Sequence, residues 1–328
     1  SFPTRRSSDL ITRELARNGW TCPGARPIKR GRPPVAGGYR AGAADGRARQ
    51  LAATPRCPSR LATDGPLWPI VEDLLRQRHS PEQIAGILAR MHPDNPVLQA
   101  SHETIYTAIY AMPRGELRSE LIACLRQSRK TRRPRARGTD RRGTIPNMTS
   151  IHDRPVEVEE RLVPGHWEGD LIKGARNASA IGTLVERTTL FVTLAKMENA
   201  SADAAVAGFS AVLNRIEAQR RLSMTYDQGR EMAQHERLAE LTGIAVYFAD
   251  PHSPWQRGIN ENTNGLLRQY FPKGTDLSGF SQSQLDAVAW QLNTRPRKSL
   301  GWKCPAELFM PNDFSFERHY HQLVALRS

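Results

Sequence analysis

The chain has 328 residues, of which 39% are hydrophobic and 24% charged, enough for two or three soluble domains. Its formal charge is +14 and is unevenly placed: residues 1–150 carry 27 Lys+Arg against 12 Asp+Glu, and residues 151–328 carry 20 against 21. A basic half joined to a neutral half points to a polyanion-binding arm on a separate body. Arg outnumbers Lys in the basic half, which suits bidentate phosphate and guanine contacts. A GC-rich genome would also favour Arg, but it would not separate the halves.

Cys22, Cys57, Cys124 and Cys304 form no CxxC pair, and the nine His complete no Cys/His ligand pattern. This argues against a zinc ribbon and a disulfide framework. No apolar run is long enough to span a membrane and no signal peptide is visible, so a reduced, cytoplasmic setting is expected. Residues 1–10 read as the translation of a sequencing-adapter end and are set aside as an assembly artefact, which implies a missing front end.

Ile11 to Trp20 reads as a helix tail ended by Asn18-Gly19. Residues 21–65 read as a linker rich in Pro, Gly, Ala and Arg, with a short helix around Tyr39–Leu51. A helix is expected over Pro66–Arg78. A second follows Ser80-Pro81-Glu82-Gln83, with Ser80 as N-cap, and runs to about Met91. Ser101 caps a third, His102 to Tyr110. Three short helices in this order form either a helix-turn-helix module or an ordinary small bundle. In the module the third helix enters the major groove and presents His102, Glu103, Tyr106 and Thr107. Residues 126–142 are dense in Arg, with Arg132 and Arg133 at the centre. Such a run is either a solvated linker or a phosphate-binding segment, and its place between two domains favours DNA.

From about Val163 strands and helices alternate. Strands are expected over His166–Lys173, Ala178–Glu186, Leu190–Lys196, Leu222–Tyr226 and Ile244–Phe248. Helices are expected over Ser201–Gln219, near Glu231–Leu241, over Ile259–Tyr270 and over Ser281–Asn293. The Arg187-Thr188-Thr189 gap suggests a hairpin. The fold class is therefore α/β: a mixed-sheet core of ribonuclease-H-like order at 151–328, expected to be the catalytic part. It is preceded by an α-helical region at 66–125, expected as the helix-turn-helix DNA-binding part, and a basic linker at 126–150.

Three acids stand out. Asp170 lies in the first strand, Asp227 closes the fourth, and Glu261 follows Asp227 after 33 intervening residues, near a helix start. Carboxylates on separate elements can converge on divalent cations, which want oxygen ligands. Two such ions suit in-line displacement at phosphorus. Each acid also has a structural explanation. Glu168 shares a strand face with Asp170 and is a rival ligand. Asp227 could form an Asx turn. Glu261 could answer the helix dipole.

His166-Trp167-Glu168-Gly169-Asp170, Asp227-Gln228-Gly229 and the run Asp250 to Gly274, which holds Pro254-Trp255-Gln256-Arg257-Gly258 and Asn260-Glu261-Asn262-Thr263-Asn264-Gly265, resemble bacterial insertion-sequence transposases of the IS-thirty type. The resemblance covers residues 66–328, and 11–65 more loosely. It implies an Asp-Asp-Glu catalytic and metal-holding set of Asp170, Asp227 and Glu261. It also implies two Mg²⁺ ions (Mn²⁺ can substitute), terminal inverted repeats and target DNA as partners, and a homo-oligomer in the synaptic complex. The setting implied is the bacterial cytoplasm, in association with the nucleoid. Ile11–Asn18 resembles the last part of a first recognition helix. Arg257, Arg268 and Lys273 are either phosphate contacts or surface charges. Trp255 is expected to pack in the core, with stacking on a displaced base as the alternative. His252 is expected in a turn or packing role, with proton relay as the alternative. Empty, the three acids should repel one another and raise a carboxyl pKa. The alternatives are a nuclease without strand transfer and an impaired, truncated chain that only binds DNA.

Overall fold

The computed structural model describes residues 45–46, 49–50, 61–62, 65–113, 115–125, 145–251 and 253–325. Residues 1–62 and 63–328 form two compact units. Of the first, residues 45–46 and 49–50 are helical. The adapter-like residues 1–10, the helix over 11–20, the Arg-rich run 126–142 with Arg132 and Arg133, and His252 lie outside the described residues.

The second unit begins with four helices: α1 (Trp68–Arg76), α2 (Pro81–Met91), α3 (His102–Ala111) and α4 (Glu116–Cys124). The expected caps form. Ser80 and Gln83 complete a reciprocal capping box, and Ser101 accepts from the Thr104 N–H. On α3, Ile105 and Ile109 are buried, while His102, Glu103 and Thr107 are exposed and Tyr106 is half-buried. The sequence reading does not foresee α4, whose apolar pattern is weak: Leu121 is its one buried residue.

These helices are docked on the far end of the chain, against α10 (Pro305–Phe309) and α11 (Phe316–Ala325). Arg90 on α2 grips Glu307 through two hydrogen bonds of 2.9 and 3.0 Å and lies over the Phe316 ring at 3.5 Å. Such a paired fork is stronger and more directional than a single contact. His79, buried, has Nδ1 3.2 Å from the Leu74 carbonyl and Nε2 3.2 Å from the Tyr320 hydroxyl.

After a short helix, α5 (Val156–Glu160), comes a five-stranded sheet of order β3-β2-β1-β4-β5. Its strands are β1 (His166–Lys173), β2 (Ala180–Glu186), β3 (Val192–Met197), β4 (Ser223–Tyr226) and β5 (Ala245–Phe248). The first three form an antiparallel meander, while β4 runs parallel to β1 and β5 parallel to β4. This mixed sheet has the strand order expected of a ribonuclease-H-like core.

Alternation along β1 serves two hydrophobic layers. Trp167 and Leu171 join Phe209, Val212 and Leu213 of α6 (Ala202–Leu213) and Leu238 of α7 (His235–Thr242). Ile172 joins Leu266 and Leu267 of α8 (Gly258–Leu267) and Leu285 and Leu292 of α9 (Gln282–Asn293) on the other face.

The Tyr226 and Met224 side chains of β4 pack over Gly169: a Cβ there would lie 2.6 Å from Tyr226 Cδ2 and 3.1 Å from Met224 Sδ. Both neighbours are fully buried. Gly169→Ala should therefore lower stability by about 1–3 kcal/mol through overpacking. Thermal unfolding followed by circular dichroism checks this, and an unchanged midpoint would show that the contact relaxes freely.

Burial first, and then Arg295, lowers the pKa of His79 from 6.5 to about 3. The unfolded chain takes up this proton below 6.5, whereas the folded chain resists it until about 3. The stability held by neutral His79 is thus full above 6.5 and lost as pH falls towards 3. Urea midpoints measured across that window should fall more steeply for the unaltered protein than for His79→Gln.

Candidate active site

The register of the parallel β1–β4 pair builds the site. Glu168 is aligned with Thr225. Two positions further along each chain, with the same facing, come Asp170 and Asp227. Asp227 thus follows the last residue of β4, and Asp170 lies within β1, just past the point where its pairing with β4 stops.

Helix α8 crosses this end of the sheet and supplies the partners. Arg257, at its N-cap, places Nη2 3.2 Å from Asp227 Oδ2 and Nη1 4.0 Å from Asp170 Oδ1. The same Nη1 donates to the Gly169 carbonyl at 3.0 Å. Asn264 Nδ2 donates to Asp170 Oδ2 at 2.8 Å. Asp227 Oδ1 accepts from the Gly229 N–H at 3.0 Å, closing an Asx turn. The structural role foreseen for Asp227 is therefore realised, and it leaves Oδ2 to face the guanidinium.

The pKa of Asp170 is raised. Burial is the main cause, opposed by Arg257 and the Leu171 N–H, and Asp227 and then Glu231 push it up further. The direction is the expected one, but desolvation outweighs repulsion between acids.

Glu168 has a different fate. It is 1% exposed, accepts from Arg187 at 2.8 Å through Oε1 and from the Asn260 N–H at 3.0 Å through Oε2. Burial pushes its pKa up and that of Arg187 down, and their attraction opposes both. Both of its oxygens are committed to cationic or amide donors; those of Asp170 also accept, from Asn264 and the Leu171 N–H, but its side chain remains 30% exposed.

Glu261 lies in the first turn of α8 and is exposed. It is four residues after Arg257 and three before Asn264, so it shares the helix stripe whose other members touch Asp170. Among the described residues no three His, Cys, Asp or Glu side chains are close enough together to hold a metal ion. The third carboxylate whose charge reaches Asp170 is instead Glu231, which is buried and 3.9 Å from Lys173 Nζ.

No protein-family model matches the chain. It is 55% identical over 305 residues to the transposase for insertion sequence element IS1086 of Cupriavidus metallidurans, covering 92% of this chain and 90% of that protein. It is 41% identical over 307 residues to the transposase InsI for insertion sequence element IS30A of Escherichia coli, covering 92% and 76%. The chain belongs to the IS30 family of insertion-sequence transposases. Another member, the transposase for IS4351 of Bacteroides fragilis, is 39% identical over 246 residues, 72% of this chain and 70% of that one. Two solved structures show weaker likeness. A chain of the simian T-cell lymphotropic virus intasome in complex with PP2A regulatory subunit B56 gamma gives a TM-score of 0.38 at 17% identity over 64% of this chain and 72% of that one. The catalytic core domain of BIV integrase gives 0.34 at 18% identity over 45% and 95%.

Within this transposase, Arg268 directs Nη1 to the Phe271 carbonyl at 3.3 Å and Nη2 to the Lys173 carbonyl at 3.4 Å, and Lys273 is exposed. The expectation that Trp255 packs in the core is wrong: it is 75% exposed, because it lies in the turn before α8 with its ring off the helix's buried face. The sequence reading also misses Arg187, treated only as a hairpin residue, and Asn264, whose signal is its spacing from Asn260 and Glu261. Glu231, read only as part of a helix start, precedes α7 in a 3-10 turn, Arg230–Met232.

Arg257 is a cation held between two carboxylates, at the place where a divalent ion would compete with it. At about 4 Å and partly buried, such a charge is worth a few kcal/mol. Arg257→Gln should therefore bind Mn²⁺ about tenfold more tightly than the unaltered protein in the absence of DNA. Isothermal titration calorimetry reads this, and an equal or weaker affinity removes the competition.

Proposed function

We propose that this chain cuts the ends of its insertion sequence and joins them to target DNA, with Asp170, Asp227 and Glu261 as the catalytic and metal-holding set. The observation that carries this reading is the placement of Asp170 and Asp227 on neighbouring strands around one bridging cation. Like-charged carboxylates placed together need a counter-charge. The donor set is all oxygen, partly open to solvent and already occupied by a positive group, which fits a hard divalent ion such as Mg²⁺, or Mn²⁺ in its place. Two ions in such a set supply activation of a hydroxyl nucleophile and stabilisation of the leaving 3′-oxygen.

The chain's own residues do the remainder. Asn264 orients Asp170 through Oδ2, and the Leu171 N–H holds Oδ1 at 2.9 Å. The Asx turn fixes Asp227 in the same way. Glu261 comes from a helix that is anchored to the sheet by Asn260 on Glu168. Once displaced from the aspartates, Arg257 is a phosphate contact at the site. Arg268 and Lys273 extend that contact along α8 and past its end.

DNA recognition is assigned to the helical region 66–125. His102, Tyr106 and Thr107 of α3 face the major groove, and Arg132 and Arg133 in the basic segment 126–150 hold phosphates. Residues 151–328 form the catalytic region. Joining two element ends calls for at least two copies of the chain at the DNA. No described helix is long and apolar enough to cross a membrane, and the proposed setting is the bacterial cytoplasm, at the nucleoid.

The test uses labelled duplex DNA carrying the inverted repeats that flank the reading frame in its source genome, with Mg²⁺. Asp170→Asn, Asp227→Asn and Glu261→Gln should each reduce cleavage and joined product more than about a hundredfold, as loss of one charged stabiliser does. Binding of the same DNA should persist. Glu231→Gln should keep cleavage within about tenfold, the low end for a supporting partner of a ligand. If Glu231→Gln abolishes cleavage and Glu261→Gln does not, Glu261 loses its place to Glu231.

A further inference from the structure

The turn that joins β1 to β2 holds two residues in succession in the left-handed conformation, Arg176 (φ 52°) and Asn177 (φ 58°). Asn tolerates that region, but Arg enters it against the crowding of its own Cβ, and Gly or Asn would adopt the same backbone with less strain. Strain of this kind gathers at working sites.

The turn is fastened to the segment that follows α8. The Ala175 N–H donates to the Thr275 carbonyl at 2.9 Å, and a Cβ on Gly174 would lie 2.9 Å from the same oxygen. Ser179, just before β2, donates to Asp276 at 3.0 Å and accepts from the Leu277 N–H at 2.9 Å. Arg268 closes the other side, with its guanidinium on the Lys173 and Phe271 carbonyls. Turn and segment thus make one platform at the end of β1.

Most charges on this platform are answered. Lys173 lies 3.9 Å from Glu231, and Arg268 is under the attraction of Asp170. Asp276 accepts from the Ser179 hydroxyl, the Ser278 N–H and the Ser278 hydroxyl, at 3.0, 3.0 and 2.8 Å. Arg176 and Lys273 are exposed, and their side chains make no hydrogen bond or ion pair among the described residues. Arg176 is next to one partner of the Ala175–Thr275 bond and Lys273 is two residues from the other, so both free cations flank the same contact.

Cations set on fixed backbone suit a row of phosphates, whose counterions they displace. Position supports the same partner. Lys173 is three residues beyond Asp170 on β1, about 10 Å along the strand, and the turn follows it. That is about three base-pair steps at 3.4 Å each, so a duplex with a phosphate at the aspartates passes the platform. We propose that Arg176 and Lys273 grip the phosphate backbone of duplex DNA on one side of the cut. This rests on the transposase reading and adds Arg176, with the turn that carries it, to the DNA-holding surface.

The test follows fluorescence anisotropy of labelled duplexes, one carrying the inverted repeat and one of unrelated sequence, over about 50 to 200 mM salt. Arg176→Asn removes the charge and keeps a residue that accepts the left-handed backbone, so it should melt no lower than the unaltered protein. It should reduce the slope of log affinity against log salt by about 0.9, which makes its loss of affinity about 3.5-fold greater at the low end of that range than at the high end. Lys273→Gln should do the same, the double variant should lose about 1.8 from the slope, and Arg176→Lys should keep the full slope. A change on both duplexes assigns the platform to any duplex, target DNA included, and a change on one alone assigns it to that DNA. Unchanged slopes on both overturn the proposal and leave the transposase reading intact. Failure of the unaltered protein to bind either duplex counts against that reading itself.

Discussion

The pairing of β1 with β4 is the constraint on which the site depends. It sets Glu168 beside Thr225 and so carries Asp170 and Asp227 to one face, just past the end of the β1–β4 ladder. A slip of one residue would turn Asp170 into the layer that holds Trp167 and Leu171. The fully packed apolar layers on both faces oppose such a slip. Gly169 lets the two strands close against Tyr226, and the result is a pair of acids that the fold cannot separate. Their mutual repulsion and desolvation are answered by Arg257 and Asn264, both from α8. Energy stored in hydrophobic packing thus holds together charges that would part in water.

Much of this was legible in the residues. The alternation from His166 to Lys173 marks β1 at its observed limits, and the Ser80 and Ser101 caps mark two helix starts. Other boundaries moved for local reasons. Strand β3 starts at Val192 and not at Leu190 because Leu190 takes a left-handed conformation (φ 61°) in the hairpin. Arg176 and Asn177 do the same ahead of β2. Helix α6 stops at Leu213, although Ile216 still packs on the core. Apolar periodicity continues past the point where the backbone leaves the helix.

Side-chain destinations were the least legible. Nothing local says that Arg187 pairs with Glu168, nineteen residues away and buried. Nor does the sequence show that Arg257 turns inward to the aspartates while Trp255, two residues earlier, turns out. Composition reports that a charge exists, whereas its direction depends on how α8 lands on the sheet. The same landing leaves Glu261 on the helix stripe of Arg257 and Asn264, but exposed.

The clamp between α2 and the C-terminal helices has a consequence for how DNA is handled. Arg90, gripped by Glu307 and stacked on Phe316, ties the helical region to the sheet-bearing region with little freedom. Gly86 presses on the Trp302 ring in the same contact, leaving no room for a side chain. On the recognition role proposed for α3, a duplex seated there would be held at a set offset from the aspartates. The molecule would then work as a ruler: the position of the cut would follow from a length built into the protein, and inserted or deleted base pairs between recognition and cutting points would move the break along the DNA.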